Sequence, residues 1–406
     1  MKKVYLAVFM ISLGNLAYSN SNEKENDPRE SEIVSPEETK AEEVNKGTLS
    51  FSGYIDSYFS ANFNKPLSMS NVGQSGTSRV FDTRSGQLTL GLVQAMMTYT
   101  TDRSEAVVDL AFGPNADMAN YGNALFNTAL AIKQAYFSYN FTDKFSMTVG
   151  QFGTHIGYEV IDAPVNFNYS LSNLFNNGPF YHAGVKATYA FSDKVSLMAG
   201  IVNNVDGLGD NNRKKGVIGQ LFIAPVEEWS IYLNAIHSNE ADPMADGSTP
   251  KAFYQVFDLA TSYQVTDNFL LGLNAAIGTQ KGDMQGGGGP SEAKSWGGTA
   301  VYANLKLSEL FSLGGRYEYF DNSNGVRGLV SFPEGLEGVS IGTHVNSYTL
   351  TGNFTLASGH ILIKPEIRID SHAKRGAGEL QQFEDSKGNF TKNSQTTAGL
   401  AFIYKF

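Results

Sequence analysis

The sequence predicts an all-β protein, a transmembrane antiparallel up-and-down β-barrel of about sixteen strands. Three observations lead there. Residues 361–370 read Ile-Leu-Ile-Lys-Pro-Glu-Ile-Arg-Ile-Asp, so Lys364, Glu366, Arg368 and Asp370 alternate with Ile363, Pro365, Ile367 and Ile369. Strand side chains point alternately to opposite faces, which makes one face ionic and the other apolar. A half-buried strand of a soluble sandwich would show the same pattern, so recurrence decides. The pattern runs into the last residues: Ala398, Leu400, Phe402, Tyr404 and Phe406 share one face, with Thr397, Gly399, Ala401, Ile403 and Lys405 on the other. Finally, one hairpin phrase repeats: Tyr139-Asn-Phe-Thr-Asp-Lys-Phe-Ser146, Tyr189-Ala-Phe-Ser-Asp-Lys-Val-Ser196 and Tyr263-Gln-Val-Thr-Asp-Asn-Phe-Leu270.

Taken in chain order, Lys2 and Lys3 precede an apolar run over 4–16 and then Ala17-Tyr18-Ser19. Thirteen apolar residues are too few to span a bilayer. The small residues that follow suit cleavage, so 1–19 reads as a signal peptide. Residues 20–46 hold nine acidic and four basic side chains and almost nothing apolar. That composition predicts an acidic, disordered periplasmic leader. The barrel then occupies 47–406.

Within the barrel, each repeated phrase is an aromatic strand end, a Thr/Ser-Asp-Lys/Asn turn and an apolar strand start. Asp and Asn favour such turns by bonding their own backbone. Similar short turns fall at 101–104, 224–228, 307–310 and 357–359. Between them lie longer polar stretches at 65–82, 114–129, 154–179, 206–213, 239–251, 281–294, 321–342 and 372–393. Seven short turns alternating with eight long loops require sixteen strands; fourteen or eighteen would follow from one misread hairpin. An even count, short periplasmic turns and long external loops suit a bacterial outer-membrane barrel. At that size the interior is expected to be a water-filled channel.

Alternation assigns the faces. Leu49, Phe51, Ile55 and Phe59 are expected toward lipid, with Tyr54, Asp56 and Tyr58 toward the lumen. Phe137, Tyr139, Phe141, Val195, Leu197 and Ile201 face out, while Gln134, Tyr136 and Ser138 face in. The same rule turns Asp109, Lys186, Asp258, Arg316 and Glu318 inward, since a charge against lipid near the midplane costs about 2–4 kcal/mol.

Composition agrees and excludes. Gly is abundant at 42, and 20 Tyr and 27 Phe outnumber 2 Trp, as strands, turns and interfacial girdles require. No Cys is present, which removes disulfides, thiolate metal sites and Cys nucleophiles. A net charge of −10 argues against nucleic acid. Mean hydropathy is −0.22, low because a barrel carries its apolar band in every second residue.

Several segments together resemble the β-barrel porins described as OmpL-like. They include Gly53-Tyr-Ile-Asp-Ser-Tyr58, Gln134-Ala-Tyr136, Val149-Gly-Gln-Phe-Gly-Thr154 and Ile156-Gly-Tyr-Glu159. Further along come Asn168-Tyr-Ser170, Pro179-Phe-Tyr-His-Ala-Gly-Val-Lys186, Asp210-Asn-Asn212, Arg316-Tyr-Glu-Tyr-Phe320 and Lys364-Pro-Glu-Ile-Arg-Ile-Asp370. The resemblance covers 53 to the C-terminus. Asn204-Val205 stands where that pattern has Asn-Gly-Trp, and Lys364 where it has Arg. It implies an outer-membrane pore and names no solute.

The third long loop, 154–179, resembles the constriction loop of sixteen-stranded general porins, which also follows the fifth strand. Folded into the lumen, its Glu159 and Asp162 would face Arg316, Lys364, Arg368 and Lys186 and set a size limit and a transverse field. The alternative is that they order a surface loop while the wall charges form salt bridges with one another. Counting Asp56, Asp109, Asp258, Glu318, Glu366, Asp370, Glu159 and Asp162 against Lys186, Arg316, Lys364 and Arg368 predicts a weak cation preference. The expected activity is passive diffusion of small hydrophilic solutes across the outer membrane. Lipid is the surrounding partner and a homotrimer the assembly suggested by analogy of fold. No cofactor or metal is expected: the Asn/Asp-rich 203–212 lacks regular ligand spacing, 286–289 lacks a following Lys-Ser/Thr, and the six His show no metal-binding spacing. Two other classes stand beside the channel. A barrel lipase or protease would need a pair such as His182 with Ser170 or Ser172, without any Gly-x-Ser-x-Gly elbow. A structural or adhesin barrel would need a plugged lumen.

Overall fold

The computed structural model describes residues 47–119, 131–282, 290–327, 330–331, 341–373 and 381–406. The expected signal peptide, the leader and the tip at 286–289 lie outside them. The chain begins with β1 (Thr48–Asn62), β2 (Leu88–Thr100), β3 (Ser104–Phe112), β4 (Ile132–Asn140) and β5 (Phe145–Gly153). Next come β6 (Tyr181–Ser192), β7 (Val195–Val202), β8 (Gly216–Ile223), β9 (Trp229–Ser238) and β10 (Phe253–Thr266). Then follow β11 (Phe269–Lys281), β12 (Lys294–Ser308) and β13 (Phe311–Asp321). A small external hairpin pairs β14 (Val330–Ser331) with β15 (Ile341–Gly342). The wall resumes with β16 (His344–Leu356) and β17 (Ile361–His372). A second external hairpin joins β18 (Phe383–Glu384) to β19 (Phe390–Lys392), and β20 (Ser394–Lys405) ends the wall. Short helices α1 (Pro114–Met118) and α2 (Asn173–Asn177) lie in the second and third long loops.

Leaving out the two hairpins, sixteen strands close into one antiparallel barrel. β20 closes it against β1, with Tyr54 opposite Lys405 and Asn62 opposite Thr397. All seven expected short turns join neighbouring strands, and the strand ends that the eight long stretches connect lie opposite them.

The inside–outside assignment also holds. Leu49, Phe51, Phe137, Ile201, Ile367 and Phe402 are exposed on the outer surface, while Tyr54, Asp56, Tyr58, Asp109, Asp258, Arg316 and Glu318 are buried. Pro365 has no N–H to give the ladder. It is accommodated where the β16–β17 register breaks off after Thr351–Glu366 and resumes at Phe354–Ile363.

The interior differs from a plain aqueous channel. Inward-facing Val202, Ile218, Ile236, Val256, Trp296 and Phe320 form an apolar cluster with Ile156 and Leu174 of the third loop. A second cluster joins Tyr54, Leu92 and Ile403 of the wall to Ile161 and Leu171 of the same loop and Phe81 of the first. The size argument for a fully hydrated lumen fails at this level because loops enter it carrying apolar side chains that bury against the wall.

Candidate functional site: the lumen and its bolted loop

The third long loop, L3 (154–180), leaves β5, crosses the lumen and returns to β6. Glycines in the wall make room for it. A side chain at Gly272 would collide with the Tyr158 ring, and one at Gly314 would press on Phe167 at 2.9 Å. Tyr158 stacks on Tyr302 with ring centroids 4.3 Å apart.

A loop removed from water must find partners for its backbone, and here the charged wall supplies them. Glu318 accepts hydrogen bonds from Asn173 N (2.9 Å), Asn173 Nδ2 (2.8 Å) and Leu174 N (2.8 Å). Glu366 accepts from Tyr169 N (2.7 Å), Ser170 N (3.1 Å) and Thr351 Oγ1 (2.7 Å). Asp258 takes Gly157 N at 3.0 Å, where Gly157 holds φ +97°, and is oriented by Asn234 and Asn274. The cations take carbonyls. Lys364 Nζ donates to Ala163 O and Asn166 O, both at 2.7 Å, and Arg368 Nη1 donates to Leu171 O at 2.7 Å. Arg316 binds the Glu159 carboxylate, Ser170 O at 2.7 Å and Thr349 Oγ1 at 3.3 Å. Within the loop Ser172 Oγ caps α2 by accepting from Phe175 N at 3.0 Å, and Ser172 N donates to Glu159 at 2.7 Å.

Of the two loop acids, Glu159 meets its expected partner Arg316, whereas Asp162 does not face Arg316, Lys364, Arg368 or Lys186. It pairs with Lys133 at 2.6 Å and accepts from Tyr54 OH at 3.2 Å. Lys133 also lies 3.2 Å from Asp109, which Gln94 and Gln134 hold at 3.0 and 3.2 Å. Asp56 accepts from Tyr169 OH at 3.1 Å. Asp370 joins Arg368 at 2.8 Å, Ser347 Oγ at 2.8 Å and Arg79 at 2.8 Å. Arg79 belongs to the first long loop, is buried, and also pairs with Asp82. Beside it, Phe81 packs on Phe175 and Phe180 of L3. Lys186 stands apart, its Nζ 4.3 Å above the Phe152 ring.

Sequence reasoning missed Arg79, Asp82 and Lys133. The first two lie in a loop without periodicity. Lys133 sits at a bulge, where Asp109 pairs with Gln134 but Leu110 with Ile132. No described hydrogen bond joins His182 to Ser170 or Ser172. His182 Nε2 lies 3.1 Å from Thr154 Oγ1, and Ser172 Oγ caps α2. His155 and His182 do meet, with ring centroids 5.8 Å apart, but His155 Nε2 bonds Ala235 O at 3.0 Å. In 203–212 Asn203 and Asn204 donate to Leu208 O and Gly209 O, and Asp210 accepts from Asn212 N, which is turn chemistry.

The comparisons accord with this architecture. The family model for beta-barrel porin-2, OmpL-like, matches residues 48–406. Among solved structures, the outer-membrane channel DcaP of Acinetobacter baumannii is similar at a TM-score of 0.55 and 12% identity, covering 90% of this chain and 99% of that one. An anion-selective porin from Comamonas acidovorans gives a TM-score of 0.53 at 11% identity, covering 89% and 100%. OmpT of Vibrio cholerae, in trimer form, gives 0.52 at 13% identity, covering 89% and 99%. At such identities these likenesses speak for the fold. No curated protein matches.

Proposed function

The chain belongs to the beta-barrel porin-2, OmpL-like family, and from that premise we propose that it passes small hydrophilic solutes by passive diffusion through a lumen narrowed by L3. It is a porin of the Gram-negative outer membrane. The observation that carries the mechanism is the closed sixteen-strand wall, apolar outside, with a loop bolted across its interior. Closure satisfies every wall strand without an exposed edge, which lipid demands.

Solutes would pass beside L3 along the β3–β9 wall, where Ser138, Thr148, Thr188, Gln220 and Tyr232 point inward and remain partly open to solvent. Selectivity depends on which of these charges are engaged. The eight-to-four acid excess consists mostly of groups already bonded to L3 or to each other. Glu105, near the turn end of β3, and Lys186, in β6, are lumen-facing charges, one of each sign, that are partly exposed, have no ion-pair partner among the described residues and are not bonded to L3 in any described hydrogen bond. A weak cation preference therefore remains the expectation, since the amides that Asp258, Glu318 and Glu366 hold do not cancel their charge.

The reading involves no turnover. Its support is that no described hydrogen bond joins His182 to Ser170 or Ser172, that His182 Nε2 meets Thr154, and that Ser172 Oγ caps α2. A homotrimer is the proposed assembly, as for the trimeric OmpT form of similar fold. Single-channel recording of the refolded chain in a planar bilayer under a KCl gradient tests it. Stepwise ohmic openings are expected, and a folded protein without conductance would overturn the channel.

A further inference from the structure

The two free charges are not placed at random. Glu105 of β3 pairs in register with Ser138 of β4, Ser138 with Thr148 of β5, and Thr148 with Lys186 of β6. One row perpendicular to the strands therefore reads carboxylate, hydroxyl, hydroxyl, ammonium. Because barrel strands tilt, such a row climbs the wall obliquely, partly around the lumen and partly along it. All four side chains face the lumen and are partly open to solvent. Ser138 Oγ and Thr148 Oγ1 lie 2.8 Å apart, and Glu105 has Tyr136 OH at 3.3 Å. Neither charge has an opposite partner within ion-pair distance among the described residues, while Arg79, Lys133, Arg316 and Arg368 all do.

We propose that this row is a weak binding track for small zwitterions of the dipeptide class, with Glu105 receiving the ammonium end and Lys186 the carboxylate end. It deepens the porin reading and rests on it. The spacing fits the class. Three strand separations put the two Cα atoms about 14 Å apart along the wall. A two-residue peptide extends about 7 Å, and a charge-assisted hydrogen bond at each end adds about 3 Å. The hydroxyl pair between them offers donors and acceptors to the peptide group. A solute with a single charge can satisfy one end only, and leaves the other as an unrewarded like or idle charge. The binding stays weak because both ends remain partly open to water, which lets the solute leave as well as enter.

The test is uptake by proteoliposomes of the refolded chain. Osmotic swelling is compared in glycylglycine, N-acetylglycylglycine and glycylglycinamide, a zwitterion, an anion and a cation of similar size. KCl conductance is recorded on the same preparations. The wild type is expected to admit glycylglycine faster than either derivative, and E105Q/K186Q to lower that rate about fivefold, with persisting stepwise KCl openings showing that the variant barrel is folded and open. The swapped variant E105K/K186E is expected to restore the preference, since a zwitterion can lie in either direction. Glycylglycine uptake unchanged in E105Q/K186Q, or a swap no better than that neutral pair, overturns the track while leaving the porin intact. Absence of KCl conductance in the wild type overturns the porin reading itself, and the track with it.

Discussion

Removing the guanidinium of Arg316 should release L3 from the β13 wall without dissolving the barrel. Arg316 and Glu159 are both buried, and the pair is reinforced by Ser170 O at 2.7 Å and Thr349 Oγ1 at 3.3 Å. Arg316→Met keeps the length of the stem but leaves the Glu159 carboxylate and the Ser170 carbonyl without that donor. Breaking a buried pair from one side costs about 3–5 kcal/mol. The wall ladder does not depend on this side chain, so the cost falls on the loop. A change of about 3 kcal/mol alters a two-state equilibrium by roughly 150-fold. Rare detachment of L3 should thus become frequent, seen as bursts of larger, noisier openings in single-channel records. Glu159→Gln should do the same, whereas the double variant should lie nearer the wild type, because two neutral groups carry no stranded charge. Wild-type conductance, noise and thermal midpoint in a folded Arg316→Met barrel would refute the claim that this pair anchors the loop. A double variant no better than either single one would refute the coupling.

Three further outcomes are expected. Arg79→Met removes the buried link from the first long loop to Asp370, and should raise single-channel conductance by freeing that loop from the lumen. An unchanged step size would count against that loop as part of the constriction. Leu350→Arg puts a charge on the outer face of β16, where it costs about 2–4 kcal/mol near the midplane, and should lower the folded fraction on unheated gels, whereas Leu350→Phe should not. Outside the membrane, Asp206 accepts from Phe180 N at 2.5 Å and Tyr181 N at 3.2 Å, and Glu240 from Val205 N at 3.2 Å. Burial raises the Asp206 carboxyl to about 6 and that of Glu240 to about 7; Arg327 opposes the first rise, and Asp206 and Asp210 add to the second. Folded values above the unfolded ones mean that this contact is fully stabilised near pH 4 and loses stability as pH rises through 6 to 7. Amide exchange at Val205 and Tyr181, corrected for intrinsic rate, should accelerate between pH 5 and 8, and Glu240→Gln should flatten the Val205 response.

The wall was legible because its information is local. Two-residue alternation assigns Lys364, Glu366 and Arg368 to one face whatever else the chain does, and Asp or Asn turns mark where each hairpin reverses. The contents of the lumen were less legible, since a side chain's parity does not reveal its partner. Glu318 meets amide N–H groups from α2, more than 140 residues earlier in the chain. Lys133 escaped because a bulge breaks the parity rule at that residue. One signal was available and unused. Ile218, Ile236, Val256, Trp296 and Phe320 are apolar at inward positions, where a hydrated wall has no use for them, and each packs in the cluster that holds L3.

The arrangement of signs on the wall argues for the same division of labour. A selectivity field needs opposite charges on opposing walls. Here both signs share single strands: Arg316 beside Glu318 on β13, and Lys364, Glu366, Arg368 and Asp370 along β17. Such a ladder produces little net field across the lumen, but it suits an irregular loop, whose backbone presents N–H and C=O groups in turn. Glu318 and Glu366 take the amides, and Lys364, Arg368 and Arg316 take carbonyls. The residues that first suggest an ionic filter thus hold L3 inside the barrel. On the proposed reading, discrimination among solutes falls to Glu105 and Lys186, whose charges are not engaged by the L3 backbone in any described hydrogen bond.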